Sequence, residues 1–331
     1  MVHHIWDDFP EIQEDLESVR SIMISELSVI HPEVKEKIIA YMEAPGKYLR
    51  SGLCLLLSKS KTGHIPEGKL YLAAYLETLH LATLIHDDVI DEADSRRGLQ
   101  VMNKSFSNRI AIYAGDYLLT YANQFLRKAS ELLDVGKEEQ ELGKHKVVER
   151  ILVGELAQLM NQFDCQVTMK AYLKQIKGKT ATLFALACQM GAWEKGTTRR
   201  ESRLAYRLGQ SIGMAFQISD DLIDYQIDEK NSGKPRMQDI QNGIYTAPFL
   251  FARETDRQLI DHFQLEEKKE WSEEELRAFY NRLNQAKAFE KTEQLIKAYL
   301  RKMKEQSQEL LPPDEAEELV SFLFEVMNRQ F

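Results

Sequence analysis

Residues 84–98 read LIHDDVIDEADSRRG, and residues 216–234 read FQISDDLIDYQIDEKNSGK. Both stretches place a DDxxD pentad directly after an apolar helical run, and basic residues follow each pentad within a short distance. The first and last aspartates of a pentad are four residues apart, so they lie on the same face of a helix. Carboxylates held together at the end of a buried helix repel one another unless a cation lies between them. The repeat therefore predicts two central helices whose acidic ends face one another and bind metal.

The pentads consist of hard oxygen ligands with no cysteine nearby, which favours Mg²⁺ over zinc. Protein-bound Mg²⁺ typically bridges one or two carboxylates to substrate phosphates. One pentad alone is equally compatible with a solvated helix end, but two copies that both follow apolar runs are not expected on a solvated surface. The pattern therefore predicts metal-assisted chemistry on a diphosphate or triphosphate. The candidate metal ligands are Asp87, Asp88, Asp91, Asp220, Asp221 and Asp224.

The composition favours long helices. The 331 residues are 44% hydrophobic and 29% charged, and 16 glycines and 8 prolines are few for a turn-rich β architecture. Apolar residues recur at three- and four-residue spacing, and no stretch has the composition of an interdomain linker. We predict one all-α domain over residues 1–331. The predicted helices lie near 10–30, 34–43, 48–60, 67–94, 105–132, 139–166, 169–191, 199–230 and 242–265, with three more between 272 and 328.

Net charge and cysteine content restrict the partners and the cellular compartment that we expect. A net charge of −9 makes a nucleic-acid partner unexpected and implies that an anionic substrate arrives with divalent metal. The three cysteines, Cys54, Cys165 and Cys188, have no CxxC spacing and are predicted to be reduced core residues. The N-terminal MVHHIWDDFPEIQEDLE has no signal-peptide core, and the apolar runs are too short to span a bilayer. We predict a cytoplasmic protein with at most peripheral membrane contact.

Basic residues accompany both pentads. Any single lysine or arginine is most simply an ordinary surface charge, but together they predict phosphate binding. The GKT sequence that begins at Gly178 is not a P-loop, because the required glycine five residues earlier is Leu173 and no strand precedes it. The candidate cations are Lys47, Arg50, Arg96, Arg97, Lys179 and Lys234.

Five motifs in order resemble one known family. The two pentads, GDYLL at 115–119, GKTATLF at 178–184 and GKPRMQDI at 233–240 resemble the trans (E-type) polyprenyl diphosphate synthases. The resemblance implies the isoprenoid synthase fold, a single-domain helical bundle with two facing Asp-rich helix ends. It also implies a prenyltransferase in which an allylic diphosphate ionises and the double bond of isopentenyl diphosphate attacks. A proton is then lost, and in the family the leaving diphosphate takes it.

The resemblance further implies a role for each matching residue. Asp87 and Asp91, assisted by Asp88, would hold two of three expected Mg²⁺ ions, and Asp220, supported by Asp221 and Asp224, would hold the third. The allylic diphosphate would be bound by Arg96, Lys179, Thr180, Gln217 and Lys234. Isopentenyl diphosphate would be bound by Lys47, Arg50, His80 and Arg97. The residues that would carry catalysis are Asp87, Asp88, Asp91, Lys179 and Asp220.

The chain departs from the family pattern at several positions. Where the family often has GGKRxRP, this chain has Pro-Gly-Lys-Tyr-Leu-Arg-Ser at 45–51, so Tyr48 stands where an arginine is expected. Met237 stands where glycine is common, and Ile244 stands where lysine is common. The Tyr48 change is expected to reshape the isopentenyl site, and no departure removes a direct metal ligand.

Product length is predicted from the positions four and five residues before Asp87. In the family, aromatic residues there stop chain growth early, whereas this chain has Thr83 and Ala82. The tunnel is therefore expected to stay open to Leu79 and Leu76, giving a medium- to long-chain product for quinone side chains. The alternative is a shorter farnesyl or geranylgeranyl product, set by a floor residue from the next helix. The candidate floor residues are Tyr113, Tyr117, Tyr121 and Phe125.

Three other functions remain open. A class I terpene cyclase shares the first pentad but usually lacks the second DDxxD and the isopentenyl site. An HD-type phosphohydrolase built on His86 and Asp87 leaves the second pentad unexplained. A non-catalytic subunit would be expected to lack some of the aspartates, and this chain has all six. We expect a catalytic chain that forms a homodimer or a heterodimer with a small helper subunit.

Overall fold

The computed structural model describes residues 3–29, 31–136, 147–225, 227–228, 234–235, 237–267 and 270–328. The chain divides into two compact units. Unit 1 comprises Met1–Lys144 and Leu186–Arg203, and unit 2 comprises His145–Ala185 and Leu204–Phe331. The prediction of a single domain over 1–331 stays a prediction.

Unit 1 is built mainly from six helices. A 3₁₀ turn (His4–Trp6) precedes them, and a two-residue hairpin of β1 (Ser95–Arg96) and β2 (Leu99–Gln100) follows the fourth. Prolines at the first helical position start α1 and α2, where a missing N–H costs nothing. The helices are α1 (Pro10–Ser25), α2 (Pro32–Glu43), α3 (Leu49–Thr62), α4 (Glu67–Ile90), α5 (Met102–Ser105) and α6 (Asn108–Leu132).

Unit 2 holds most of the remaining helices. A π-helical turn (Lys177–Ala181) joins α8 to α9, and β3 (Ile227–Asp228) pairs with β4 (Lys234–Pro235). Helices α9 and α10 contribute their other ends to unit 1. The helices are α7 (Val147–Met160), α8 (Met169–Ile176), α9 (Thr182–Ala192), α10 (Arg199–Asp224), α11 (Gln238–Gln241), α12 (Ala247–Thr255), α13 (Leu259–Phe263), α14 (Glu273–Gln285), α15 (Ala288–Leu310) and α16 (Pro313–Asn328).

Helix α4 runs through the core of unit 1 and packs antiparallel against α6. The ring of His86, near the C-terminal end of α4, lies against Gly115 early in α6. Near the other end of α4, the Tyr71 ring centroid is 6.4 Å from that of Phe125, late in α6. A Cβ on Gly115 would lie 2.6 Å from the His86 ring, so the absence of a side chain there permits this close approach. The packing fixes the helix end that carries the first pentad.

The predicted helices are confirmed except at several ends. Helix α1 stops at Ser25, α4 at Ile90, α7 at Met160 and α10 at Asp224, so the predicted ends at 30, 94, 166 and 230 are wrong. After Ile90 the chain turns into the β1–β2 hairpin, in which Arg97 adopts a left-handed φ of 52°. The predicted helix 242–265 is also wrong, because the chain breaks there into α12 and α13. No described helix is long and apolar enough to cross a membrane.

Candidate active site

The first pentad presents two of its three aspartates outward. Asp87 is half-buried in the last turn of α4, and Asp91 is exposed at its C-cap. Asp88 is 1% exposed and accepts a 2.6 Å hydrogen bond from Arg96 Nε. Burial raises the pKa of the Asp88 carboxyl, and the adjacent Arg96 opposes that rise. Asp88 therefore faces the protein and anchors the hairpin, an orientation that fits an assisting role better than direct metal ligation.

Around His80, unit 1 gathers the cations predicted to bind isopentenyl diphosphate. Burial, and then the charges of Arg50, Arg97 and Arg96, hold the pKa of His80 well below its usual range. The imidazole is therefore neutral near pH 7 and can donate one N–H to an anion. The Arg97 guanidinium lies directly over Gly46, where a Cβ would be 2.6 Å from Nη1. The predicted isopentenyl diphosphate ligands Arg50, His80 and Arg97 thus lie in one region of unit 1. Lys47, the fourth, follows Gly46 in the same region.

Tyr48, the departure from the family pattern, turns inward. Its backbone is left-handed, with a φ of 49°, and its hydroxyl donates to the Met42 carbonyl at 2.9 Å. Ser51, three residues later, donates to Glu77 Oε2 at 2.7 Å. Tyr48, Glu77 and His80 line a small cavity of about 10 Å³, room for roughly one water. At the position where the family often has arginine, Tyr48 thus packs inside the protein. Glu77 is a buried carboxylate that the sequence analysis did not single out.

The second pentad, at the end of α10 in unit 2, also divides its aspartates. Asp220 is exposed, whereas Asp221 is 6% exposed. Asp221 accepts hydrogen bonds from the Tyr172 hydroxyl and from Gln217 Nε2. Gln217 in turn accepts a bond from Thr180 Oγ1, so these predicted residues form one chain of hydrogen bonds. Burial raises the pKa of Asp221, which these donors oppose.

Asp224 and Asp239 complete this region. The backbone N–H groups of Gln238 and Asp239 each donate to a different Asp224 carboxylate oxygen at 3.0 Å. Burial, and then the charges of Asp221 and Asp224, raise the pKa of Asp239 well above its usual range. Sequence reasoning missed Asp239 and Tyr172. The signal for Asp239 was its place in GKPRMQDI, whereas nothing in the sequence marked Tyr172.

Lys179 lies on the π-helical turn between α8 and α9, a feature often found at functional sites. Its ammonium pairs with Glu155 of α7 at 2.8 Å. Helix α7 approaches so closely here that a Cβ on Gly154 would lie 2.3 Å from the Lys179 backbone nitrogen. The sequence predicted Lys179 and a helix near 139–166, but not the contact between them. The side chain of Lys234, another predicted ligand of the allylic diphosphate, lies outside the described residues.

The predicted chain-length residues lie inside unit 1. Ala82, Leu79 and Leu76 are at most 1% exposed. Thr83 is half-buried, and its hydroxyl donates to the His80 carbonyl at 2.8 Å. Among the candidate floor residues of α6, Tyr121 and Phe125 are buried and Tyr117 is half-buried. Tyr113 is 75% exposed, so it points to solvent and is wrong as a floor residue.

Within the described residues, no group of three or more His, Cys, Asp or Glu side chains could by itself hold a metal ion. The outward aspartates still suit Mg²⁺, which takes few protein oxygens and keeps several waters. Asp87, Asp91 and Asp220 are the aspartates that fit as direct ligands. Asp88, Asp221 and Asp224 already accept hydrogen bonds from protein donors, so each fits as a support within its own pentad.

Comparison with known proteins gives the family. The Polyprenyl synthetase family matches residues 31–283. Heptaprenyl diphosphate synthase component 2 of Geobacillus stearothermophilus is 32% identical over 257 residues, 78% of this chain and 76% of that protein. Geranylgeranyl pyrophosphate synthase from Lactobacillus brevis aligns with a TM-score of 0.87 at 29% identity over 98% of both chains. Polyprenyl synthase from Caulobacter crescentus, complexed with calcium and isoprenyl diphosphate, aligns at 0.80 with 26% identity over 97% of this chain and 95% of that one.

These matches confirm the all-α isoprenoid synthase fold and the predicted enzyme class. The match covers both pentads and every cation and tunnel residue considered above. The chain belongs to the polyprenyl synthetase family of prenyltransferases.

Proposed function

We propose that this prenyltransferase condenses isopentenyl diphosphate with an allylic diphosphate to give a medium- to long-chain all-trans polyprenyl diphosphate. By analogy with the family, the product has about six to nine isoprene units and supplies quinone side chains. The name of the Geobacillus relative supports this length. The name of the Lactobacillus protein supports the alternative, a shorter geranylgeranyl product, so similarity alone does not choose between them.

The observation that carries the proposal is the small, buried side chain of Ala82. It is fully buried in α4, five residues before Asp87, and its neighbour Thr83 is also small. A phenylalanine at either position would occupy the interior immediately beneath the first pentad. The next buried residues down the helix, Leu79 and Leu76, are aliphatic. A growing prenyl tail is thus expected to extend past Ala82 toward α6, where Phe125 is the candidate floor.

Isopentenyl diphosphate is proposed to bind in unit 1. Arg50 and Arg97 supply permanent positive charge, and guanidinium groups match phosphate oxygens in a bidentate geometry. His80, held neutral by burial and by these arginines, adds an N–H donor without adding further repulsion. Lys47 contributes a point charge from the turn that precedes α3. The tail of the five-carbon unit is then directed toward α4.

The allylic diphosphate is proposed to be bound by Arg96, Lys179, Thr180, Gln217 and Lys234. The Arg96 Nε is engaged by Asp88, which leaves its terminal N–H groups as donors to phosphate oxygens. Glu155 holds Lys179 in place until an anion competes for it. Mg²⁺ held by Asp87, Asp91 and Asp220 would supply the charge that stabilises the departing diphosphate. Three Mg²⁺ ions are proposed to bind here, and residues 1–331 are proposed to form one catalytic domain.

We also propose a cellular compartment and a partner subunit for this chain. The three cysteines are free and buried, which fits a reducing cytoplasm. The word component in the name of the Geobacillus relative supports a two-component enzyme, and we propose that this chain is the catalytic component. Helix α7 offers an exposed apolar face for a second copy or a small helper subunit. Its exposed side chains are Leu152, Val153, Leu156, Leu159 and Met160.

Product analysis tests the function. The protein is incubated with isopentenyl diphosphate, Mg²⁺ and each allylic primer in turn, alone and with a candidate helper subunit, and the dephosphorylated products are sized by chromatography. Products longer than C20 support the proposal, and exclusively C15 or C20 products overturn it. Farnesyl diphosphate alone should give no cyclic hydrocarbon. A cyclic product formed without isopentenyl diphosphate would indicate a terpene cyclase.

Two variants test the length argument. Ala82→Phe should shorten the product, whereas Phe125→Ala should lengthen it if Phe125 is the floor. Thr120→Val, at an exposed position of α6, serves as a control and should leave product length unchanged. An Ala82→Phe enzyme that still makes the wild-type product would show that the tail takes another path.

A further inference from the structure

The N-terminal segment holds the turn that carries Lys47 and Arg50. Trp6 is fully buried, and its indole N–H donates to the Lys47 carbonyl at 2.7 Å. The His3 backbone N–H reaches the Gly46 carbonyl at 3.3 Å. The Trp6 ring also lies over Gly52, where a Cβ would be 2.1 Å from the ring atoms. The family match begins only at residue 31, so this contact comes from a part of the chain outside it.

The turn itself has an unfavourable backbone conformation. Tyr48 is left-handed without being glycine, a conformation in which the side chain of an L-residue crowds its own backbone. Such a conformation persists only when surrounding contacts hold it in place. Here Trp6 holds residue 47, the Tyr48 hydroxyl binds Met42, and Ser51 binds Glu77. Of these three contacts, the one from Trp6 acts directly on the backbone of a proposed diphosphate ligand.

We propose that Trp6 is a positioning residue for isopentenyl diphosphate. By fixing the Lys47 carbonyl and packing over Gly52, it sets the direction in which Lys47 and Arg50 leave the backbone. This inference rests on the proposed isopentenyl site. Without the indole bond the turn relaxes, and the two cations must be reordered each time the substrate binds. Ionisation of the allylic diphosphate does not involve this turn and should be unaffected.

The test compares Trp6→Phe with Trp271→Phe, a control in the aromatic cluster formed with Phe263 in unit 2. Trp6→Phe keeps an aromatic ring but removes the N–H. A lost hydrogen bond to a backbone carbonyl predicts a roughly three- to tenfold higher KM for isopentenyl diphosphate. The KM for the allylic substrate and kcat should stay within about twofold. Trp271→Phe should change none of these constants.

A second variant reaches the same contact from the other side. Gly52→Ala pushes the Trp6 ring away without touching its N–H, and should raise the same KM in the same direction. Gly136→Ala, where an added Cβ meets nothing within 4 Å, is its control. If both Trp6→Phe and Gly52→Ala lower kcat and both substrate affinities together with thermal stability, Trp6 is only a core residue and the inference is wrong.

Binding without turnover separates this inference from the proposed function. Isothermal titration of isopentenyl diphosphate, with no allylic substrate, measures the affinity of wild type and Trp6→Phe. No binding to the wild type would overturn the proposed site itself. Equal affinities for both proteins would leave the site standing and overturn the role of Trp6. Weaker binding by Trp6→Phe alone supports it.

Discussion

Gly154 is the position at which one methyl group should most directly disturb the allylic site. It lies in α7 where that helix crosses the π-helical turn of Lys179. An added Cβ would lie 2.3 Å from the Lys179 nitrogen and 2.8 Å from the Gly178 carbonyl carbon. Both atoms belong to the backbone, so no side chain can rotate aside to make room. Gly154→Ala therefore has to push α7 and the turn apart.

The required shift sets the magnitude. Ordinary van der Waals contact begins near 3.4 Å, so the Cβ is about 1.1 Å too close to the Lys179 nitrogen. Overpacking of this kind costs about 1–3 kcal/mol, against which alanine regains up to about 1 kcal/mol of helix propensity. The net loss of stability is expected to be roughly 1–2 kcal/mol. The displacement also moves Lys179 relative to Glu155, and an error of about 1 Å in a positioning group can lower the rate about a hundredfold.

The assay measures both consequences. Initial rates at saturating isopentenyl diphosphate, with the allylic substrate varied, should show kcat/KM reduced by roughly tenfold or more. Differential scanning fluorimetry reports the change in Tm, and Gly136→Ala controls for the glycine-to-alanine change itself. Lys179→Met should lower the same rate constant without the loss of stability. If Gly154→Ala retains wild-type Tm and allylic kinetics, the close crossing does not position Lys179.

Three further predictions concern stability and metal binding. Lys69→Met removes three hydrogen bonds from a buried ammonium to backbone carbonyls at the end of α9, and should cost about 2–4 kcal/mol in unfolding experiments, whereas Lys195→Met, 82% exposed, should cost almost nothing. Tyr172→Phe removes a donor to Asp221 and should raise several-fold the Mg²⁺ concentration that gives half-maximal rate; an unchanged requirement would refute that support. The pKa of His80 is well below 6.5 in the folded protein, so below pH 6.5 the unfolded chain binds more protons than the folded one. The free energy of unfolding therefore decreases as the pH is lowered below 6.5, by at most about 1.4 kcal/mol per pH unit. A His80→Gln variant should show a smaller loss between pH 6.5 and 5.5, and parallel curves would contradict the argument.

Sequence periodicity predicted the helices well because their stability comes from apolar faces with local spacing. It failed where a local pattern competes with distant contacts. Residues 242–265 have helical spacing, yet the Phe163 N–H binds the Gly243 carbonyl, and Gly243 has a φ of 70°. Pro248 then starts a new helix. Pro248 is a local signal, but the bond from Phe163 comes from a segment about 80 residues away, which no window of local sequence contains.

The residues of the candidate site also fall into a group that the sequence predicts and a group that it does not. The aspartates and cations were predictable because metal and phosphate binding restrict residue type and spacing. The residues that position them were not. Trp6 lies 41 residues before Lys47 in sequence, and Tyr172 lies 49 residues before Asp221. A buried tyrosine or tryptophan reads as ordinary core in a sequence, and only its hydrogen bond, which is set by the tertiary fold, distinguishes it.

The repeat also conceals a chemical difference between the two pentads. In the first, the inward aspartate meets a guanidinium, Arg96, so its charge is compensated by a formal cation. In the second, the donors that the described part of the chain offers Asp221 are neutral, Tyr172 and Gln217, and burial raises its pKa as it does that of Asp88. Both carboxylates accept charge-assisted hydrogen bonds when they are ionised, but among the described residues only the charge of Asp88 is offset by a formal cation. Identical sequence motifs thus yield one inward carboxylate whose charge an arginine offsets and one whose negative charge depends more on a bound cation.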